Sequence, residues 1–271
     1  MISVFGSTGF IGRKWMELYS EESFSEERCS VKSKYKEILY FRGTNSNYSV
    51  FKDPTLEVRT NLLLLTQMFK SLTSQHSFNL ISSWFVYGKN NCEINKEIDY
   101  CNPKGFYSIT KLTQEQLLES YSNTFNIKYK ILRLCNVIGK DKGASSQKNA
   151  TEFMIKKLKN NEEVNIYEGD NYRNFLNVED VCNAIKLVID KGDQSIYNIG
   201  NKESIKMVDV IDYCKNRLNS KSKINLIKSP DFHNQVQSKN FHMDTSKLQS
   251  LGFKPKYSLE HTLNILCDKN G

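Results

Sequence analysis

The chain has 271 residues, 39% of them hydrophobic, enough to bury a full core as one large domain or two intimate ones. Its net charge of +8 suits anionic ligands such as dinucleotides and sugar nucleotides. Seven cysteines without a C-x-x-C pair and four histidines without ligand spacing argue against a disulfide framework or a metal site, and for a reducing cytoplasm.

The segment 2–5 reads as a buried strand, so close to the first residue that no room is left for a signal peptide. It runs into Gly6-Ser7-Thr8-Gly9-Phe10-Ile11-Gly12, and 10–20 reads as an amphipathic helix. A glycine loop between strand and helix has a physical task for each glycine. The first allows a tight turn, the second lets backbone approach a pyrophosphate, and the third permits close helix packing while the helix N-terminus donates N–H groups. About 20 residues past Gly12, the second strand is expected to end in the stretch 28–34, which offers Ser30 and Lys32 but no acid. Such a place suits a 2′-phosphate better than a bare ribose and modestly favours NADP(H). The alternative is that these side chains face solvent.

An apolar run at 36–41 ends at Gly43, 61–72 has helical periodicity, and 78–83 is another strand leading to a loop that closes at Tyr87-Gly88. A helix over 107–124 and a strand over 129–134 ending in Cys135-Asn136 follow. Strands alternating with helices predict an α/β fold, a Rossmann-like doubly wound parallel sheet. Beyond Gly139 the pattern loosens into a helix (151–160), a strand (164–167), a helix (178–190), a strand (196–199), a helix (207–218) and a basic tail. We expect residues 1–139, joined by about 171–200, to bind the dinucleotide. Residues 140–170 and 201–271 are expected to form a small α+β substrate lobe. The longest leucine run, 62–65, is far too short to span a bilayer.

Tyr107 and Lys111 lie four apart on one helix face, and Ser83 ends a strand 24 residues earlier. A phenol, a nearby ammonium and a strand-end hydroxyl make a proton relay. The hydroxyl can hold a substrate oxygen beside the phenol, while the ammonium and an oxidised nicotinamide bring the phenol into working range.

With these pieces the chain resembles the extended short-chain dehydrogenase/reductase family, specifically its nucleotide-sugar epimerases, dehydratases and reductases. Ser83-Trp-Phe-Val-Tyr-Gly88 is similar to the family's Ser-x-x-Val-Tyr-Gly, and Tyr107-x-x-x-Lys111 to its catalytic pair. Asp53-Pro54 followed by Asn61 resembles the segment carrying an active-site asparagine. Arg133-x-x-Asn136-x-x-Gly139 and Arg173-Asn-Phe-Leu-Asn-Val-Glu-Asp180 resemble two landmarks whose Asn and first Arg meet the sugar diphosphate. The resemblance implies Ser83, Tyr107 and Lys111 as catalytic residues. It implies a cofactor site of residues 6–12, Ser30, Lys32, Gly43, Asn61, Tyr107 and Lys111, and a substrate site of Ser83, Asn136 and Arg173. For Arg173 a salt bridge to Glu179 or Asp180 is the competing reading, and for Asn136 a strand-end cap.

Two departures from the family pattern stand out. The glycine loop lies fewer than 30 residues from the run at 36–41, so a strand–helix unit of the cofactor half is shortened or lost. Where the family's dehydratases carry Thr-Asp-Glu, this chain has Ser83-Trp84-Phe85, which argues against dehydration. The leading expectation is reduction of a nucleotide-linked 4-keto-6-deoxy sugar. A 4-epimerase with tightly held NAD is the alternative, and a dinucleotide sensor or RNA-binding relative is the remote one. Without an aromatic–basic cluster nucleic acid is not an expected partner, nor is a membrane; a homodimer is left open.

Overall fold

Residues Ile2–Phe5 are buried throughout and form β1, at the heart of a sheet covered on both faces. This computed structural model describes residues 1–90, 92–140, 150–169 and 171–268. After the glycine loop comes α1 (Phe10–Tyr19), whose fully buried Trp15 donates its indole N–H to Ser23 at 2.9 Å. That bond draws β2 (Ser23–Ser25) against one side of β1, while β3 (Glu37–Tyr40) pairs with the other. A π-helical turn, Val58–Leu63, leads into α2 (Leu64–Phe69). Then follow β4 (Ser77–Ser83), the long α3 (Phe106–Phe125) and β5 (Lys128–Leu134).

The later chain adds β6 (Asn136–Ile138), α4 (Ala150–Lys159), β7 (Val164–Tyr167), β8 (Tyr172–Asn177) and α5 (Val178–Lys191). It continues through β9 (Ile196–Ile199), β10 (Ser204–Lys206), α6 (Met207–Leu218) and β11 (Ile224–Ile227). The short α7 (Asp231–Val236) and α8 (Ser246–Ser250) precede α9 (Leu259–Cys267).

The central sheet has six parallel strands in the order β2-β1-β3-β4-β5-β9, the doubly wound arrangement expected. Side chains alternate between its faces. Ile2, Val4, Leu39 and Leu132 pack with Trp15, Ile185 and Val188 of α1 and α5. Phe5, Ile38, Tyr40 and Ile131 pack with Leu65, Met68 and Leu118 of α2 and α3. Each fully buried side chain of this size contributes about 1.5–3 kcal/mol. A third core joins α4, α6 and α9 to β7 and β8, around Ile155, Val164, Phe175 and Ile211. Two small sheets, β10-β8-β6 and β11-β7, belong to this part of the chain.

The cofactor half is shortened as expected, for only three residues flank β1 on its outer side. The end of the second strand differs from the sequence reading. It falls at Ser25, not within 28–34, because the Trp15–Ser23 bond fixes β2 immediately after α1.

Candidate active site

Ser83 is the last residue of β4, and its Oγ accepts the Phe85 N–H at 3.3 Å, capping the 3-10 turn Trp84–Tyr87. Across from it, α3 begins under tight control. A Cβ on Gly105 would lie 2.0 Å from Asn47 Oδ1, which accepts the Ser108 N–H at 3.1 Å. The Ser108 hydroxyl in turn accepts the Gly105 N–H at 3.2 Å. Tyr107 is thereby pinned in the first helical turn, with its phenol on the side of the Ser83 hydroxyl. Burial pushes the phenol up to about 12, with the neighbouring Ser83 hydroxyl pulling it down and the Glu57 charge adding to the rise. The ligand-free side chain is therefore a neutral proton donor at ordinary pH. Lys111, one turn on, is also buried; its Nζ donates to Ile81 O at 2.6 Å and Gln114 Oε1 at 2.8 Å. Burial lowers its ammonium to about 8, opposed by the charges of Glu115 and Glu57.

Asn61 sits inside the π-helical turn, a deviation common at functional sites. Its Nδ2 donates to Glu57 Oε2 at 2.9 Å, Thr44 Oγ1 at 3.0 Å and Thr110 Oγ1 at 2.8 Å, and its Oδ1 accepts the Thr44 N–H at 2.9 Å. Gln114 Nε2 donates to Asn61 O at 2.6 Å, which ties this knot to the Lys111 partner. Gly43 opens onto it: a Cβ there would stand 3.2 Å from Asn61 Oδ1 and 3.5 Å from Lys111 Nζ. Sequence reading missed Glu57. The carboxyl is fully buried, bonded also to the Thr44 hydroxyl, and burial raises its pKa. Its Oε1 is buried with no hydrogen-bond partner, an arrangement that folded proteins seldom tolerate without a reason. In the sequence it is one more acid at the start of a helix, and no periodicity marks it.

The glycine loop fits a dinucleotide pyrophosphate on geometric grounds. Gly6 holds φ at +86°, and a Cβ on Gly12 would meet Gly6 O at 2.3 Å. Helix α1 starts at Gly9 with no side-chain cap and no acid in its first turn, so its positive end is left to an anion. Ser7 shares a 2.6 Å bond with Ser25; Thr8 lies exposed beside it, and its carbonyl accepts from Arg13. Phe10 and Ile11 open the helix, and the Ile11 carbonyl meets the Cys182 thiol at 3.8 Å.

At the adenosine end, Glu26 follows β2 directly and accepts the Lys34 N–H at 2.7 Å through one carboxylate oxygen. Ser30 closes its own turn with Lys32, donating to Lys32 O at 2.8 Å, and Lys32 is exposed. Arg42 reaches beneath, 4.8 Å from the Phe5 ring centre, and donates to the carbonyls of Ser30 and Glu27.

Arg173, on β8, is 8% exposed and donates to Tyr172 O at 2.7 Å and Lys239 O at 2.8 Å. Burial alone lowers it to about 10. Glu179 is engaged by Lys256 and Tyr257, and Asp180 accepts the backbone N–H groups of Lys256 and Tyr257. The salt-bridge reading of Arg173 therefore fails, and among the described residues no carboxylate pairs with this guanidinium. Asn136 donates to Asn174 O at 3.0 Å, tying β6 to β8. Of the expected substrate lobe, residues 141–149 lie outside the described residues.

A sequence model of the NAD dependent epimerase/dehydratase family matches residues 25–200. The chain belongs to this family. Among curated relatives, a low-salt glycan biosynthesis protein of Haloferax volcanii is 29% identical over 194 residues, 70% of this chain and 60% of that protein. A putative UDP-glucose 4-epimerase of Methanocaldococcus jannaschii is 26% identical over 176 residues, 65% of this chain and 56% of its own length. The matched region thus spans less than two thirds of either relative. Among solved structures, UDP-glucuronic acid 4-epimerase from Bacillus cereus, in complex with UDP-glucuronic acid and NAD, superposes with a TM-score of 0.86 at 20% identity, covering 98% of this chain and 97% of that one. RMD from Pseudomonas aeruginosa, complexed with NADPH, gives 0.83 at 19% identity over 98% and 97%. A nicotinamide dinucleotide is the cofactor of the fold's neighbours, and the family is one of enzymes acting on nucleotide sugars. No helix among the described residues is long and apolar enough to cross a membrane.

Proposed function

We propose that this chain is a nicotinamide-dependent oxidoreductase of nucleotide-linked sugars that reduces the ketone at carbon 4 of a 4-keto-6-deoxy sugar. The observation that carries the reading is the neutral, buried Tyr107 phenol beside Ser83, a general acid already holding its proton. The nicotinamide, when bound, supplies the hydride. Tyr107 gives its proton to the oxygen at carbon 4, and Ser83 orients that oxygen. Lys111, opened to the site by the bare Gly43, holds the nicotinamide ribose, and Asn61 keeps Gln114 and Lys111 in register. Arg173, buried and without a counter-charge among the described residues, binds the sugar diphosphate through its planar fork in this reading, and Asn136 borders that site. In this assignment residues 1–139, with about 171–200, hold the dinucleotide, and 140–170 with 201–271 hold the substrate.

Likeness to a putative 4-epimerase favours a second reading, 4-epimerisation by the same residues. A panel of nucleotide-linked 4-keto sugars with NADH and NADPH, followed at the reduced-nicotinamide absorbance, and a parallel panel of 4-hydroxy sugars analysed for their C4 epimers separate the two. A reductase consumes one equivalent of cofactor per sugar; an epimerase interconverts C4 epimers with no net consumption.

For the adenosine ribose, the register of β2 changes the balance of groups. Glu26 stands at the strand end where a carboxylate accepts a ribose hydroxyl. The Ser30 hydroxyl is engaged within its own loop, donating to Lys32 O and accepting the Lys32 N–H. The expected preference for NADP(H) loses its premise, and we assign the ribose contact to Glu26 and the bound form to NAD(H).

A further inference from the structure

A sugar held by its diphosphate at Arg173 and reduced at Tyr107 must lie across whatever separates these two side chains. Between them runs a chain of aromatic rings. The Arg173 guanidinium carbon is 5.5 Å from the Trp84 ring centre, and Trp84 stacks on Phe85 at 4.1 Å with 28° between planes. Phe85 meets the Tyr107 ring edge-on at 5.9 Å and 77°. Trp84 is itself backed by Phe241 at 4.4 Å and buried, which leaves the half-buried Phe85 as the ring nearest the reacting centre. The Phe85 N–H is tied to Ser83 Oγ, which fixes its backbone relative to the hydroxyl that would hold the substrate oxygen, and stacking on Trp84 places the ring.

We propose that Phe85, backed by Trp84, selects the sugar: its face takes a sugar bearing hydrogen or a methyl group at the carbon beside the reacting one, and turns away a carboxylate. This rests on the functional reading above and adds the substrate class to it. A methyl group gains by leaving water against an aromatic face, whereas a carboxylate there loses its hydration without a partner. The nearby cations are engaged elsewhere. Lys111 is bonded to Ile81 O and Gln114, and Arg173 serves the diphosphate in this reading. One methylene more or less in an apolar pocket changes binding by about 10–200-fold, and a carboxylate stripped of its hydration there should lose at least as much.

Calorimetric titration of the purified protein tests this. First, UDP, dTDP, CDP and GDP are compared. The nucleotide that binds best is then used as a series differing only at carbon 6: 6-deoxyglucose, xylose, glucose and glucuronate. The 6-deoxy and pentose forms should bind at least ~10-fold more tightly than the glucuronate. Phe85→Ala should bring that ratio within about threefold while leaving the affinity for the bare nucleotide unchanged, which also reports that the variant is folded. Phe85→Leu, apolar but without a ring face, should keep part of the ratio. If no nucleotide or nucleotide sugar binds, the functional reading fails and takes this inference with it. If nucleotides bind normally but the glucuronate binds as well as the 6-deoxy form, or Phe85→Ala leaves the ratio intact, only the aromatic floor is overturned.

Discussion

Tyr107 and Lys111 are both buried and both carry displaced pKa values, which makes their roles separable by pH and by substitution. Removing the phenol hydroxyl in Tyr107→Phe deletes the proton donor, so turnover should fall by ~10²-fold or more with cofactor affinity nearly unchanged. Turnover within threefold of wild type would remove Tyr107 from the mechanism. Arg173→Ala should weaken binding of the nucleotide sugar by about 1.5–3 kcal/mol, and Arg173→Lys should recover only part, because a point charge does not reproduce the fork. Unchanged affinity in the alanine variant would relieve Arg173 of that task. Glu57 is the less obvious group. Its charge raises Lys111, whose ammonium stands at about 8 in the free protein. Because kcat/KM reports free-enzyme ionisations, it should decline as pH rises through about 8 while Lys111 loses its proton. Glu57→Gln removes a stabilising negative charge, so that decline should move to lower pH. A purely structural Glu57 would change the height of the profile and leave its position alone.

At the scale of elements, the edge strand β2 carries the proposal for the cofactor form. With Glu26 next to Ser25 and Lys32 pointing to solvent, NADH should bind more tightly than NADPH to the purified protein, and Glu26→Gln should narrow the gap. Tighter NADPH binding would return the adenosine phosphate to Ser30 and Lys32. This edge is also where sequence reading fell short. The runs 2–5, 78–83, 164–167 and 196–199 were legible because apolar side chains alternate or cluster between clear breakers. Strand β2, Ser-Phe-Ser, has one apolar residue and is held by an indole–hydroxyl bond that no periodicity reveals. Strand β8 escaped notice for the opposite reason. It buries Arg173 and Asn174, polar side chains satisfied by distant carbonyls. Ser83, Tyr107 and Lys111 stood out by spacing, and the structure sets Ser83 close enough to Tyr107 to lower its pKa. The role of Glu57 depends on contacts between separated segments, which spacing does not encode.

Across the whole molecule, the turn Asn47–Phe51 beside β3 meets α7 of the later chain. Tyr48 OH and His233 Nδ1 are 2.7 Å apart, Phe51 and Phe232 meet edge-to-face at 4.7 Å, and Tyr167 closes on His233 at 4.2 Å. Burial first, and the Arg173 charge second, lower His233 to about 4, against 6.5 in an unfolded chain. Between those values the unfolded state binds the extra proton, so stability should rise with pH from about 4 to 6.5 and be lost on acidification. His233→Gln should flatten that part of a pH–Tm curve, and an unchanged acid slope would place the titration elsewhere.

The crowded seat of Gly105 has its own consequence for how such a chain can drift. Asn47 occupies the volume a side chain would need, so even alanine at 105 must displace the residue that steadies the start of α3. Tyr107 lies two positions further on, and a small rotation of that first turn is multiplied along the length of a phenol. Lineages that keep the reaction should therefore hold Asn47 and Gly105 as a linked pair, changing both or neither. The exposed lysines around them remain free to vary with the composition of the genome.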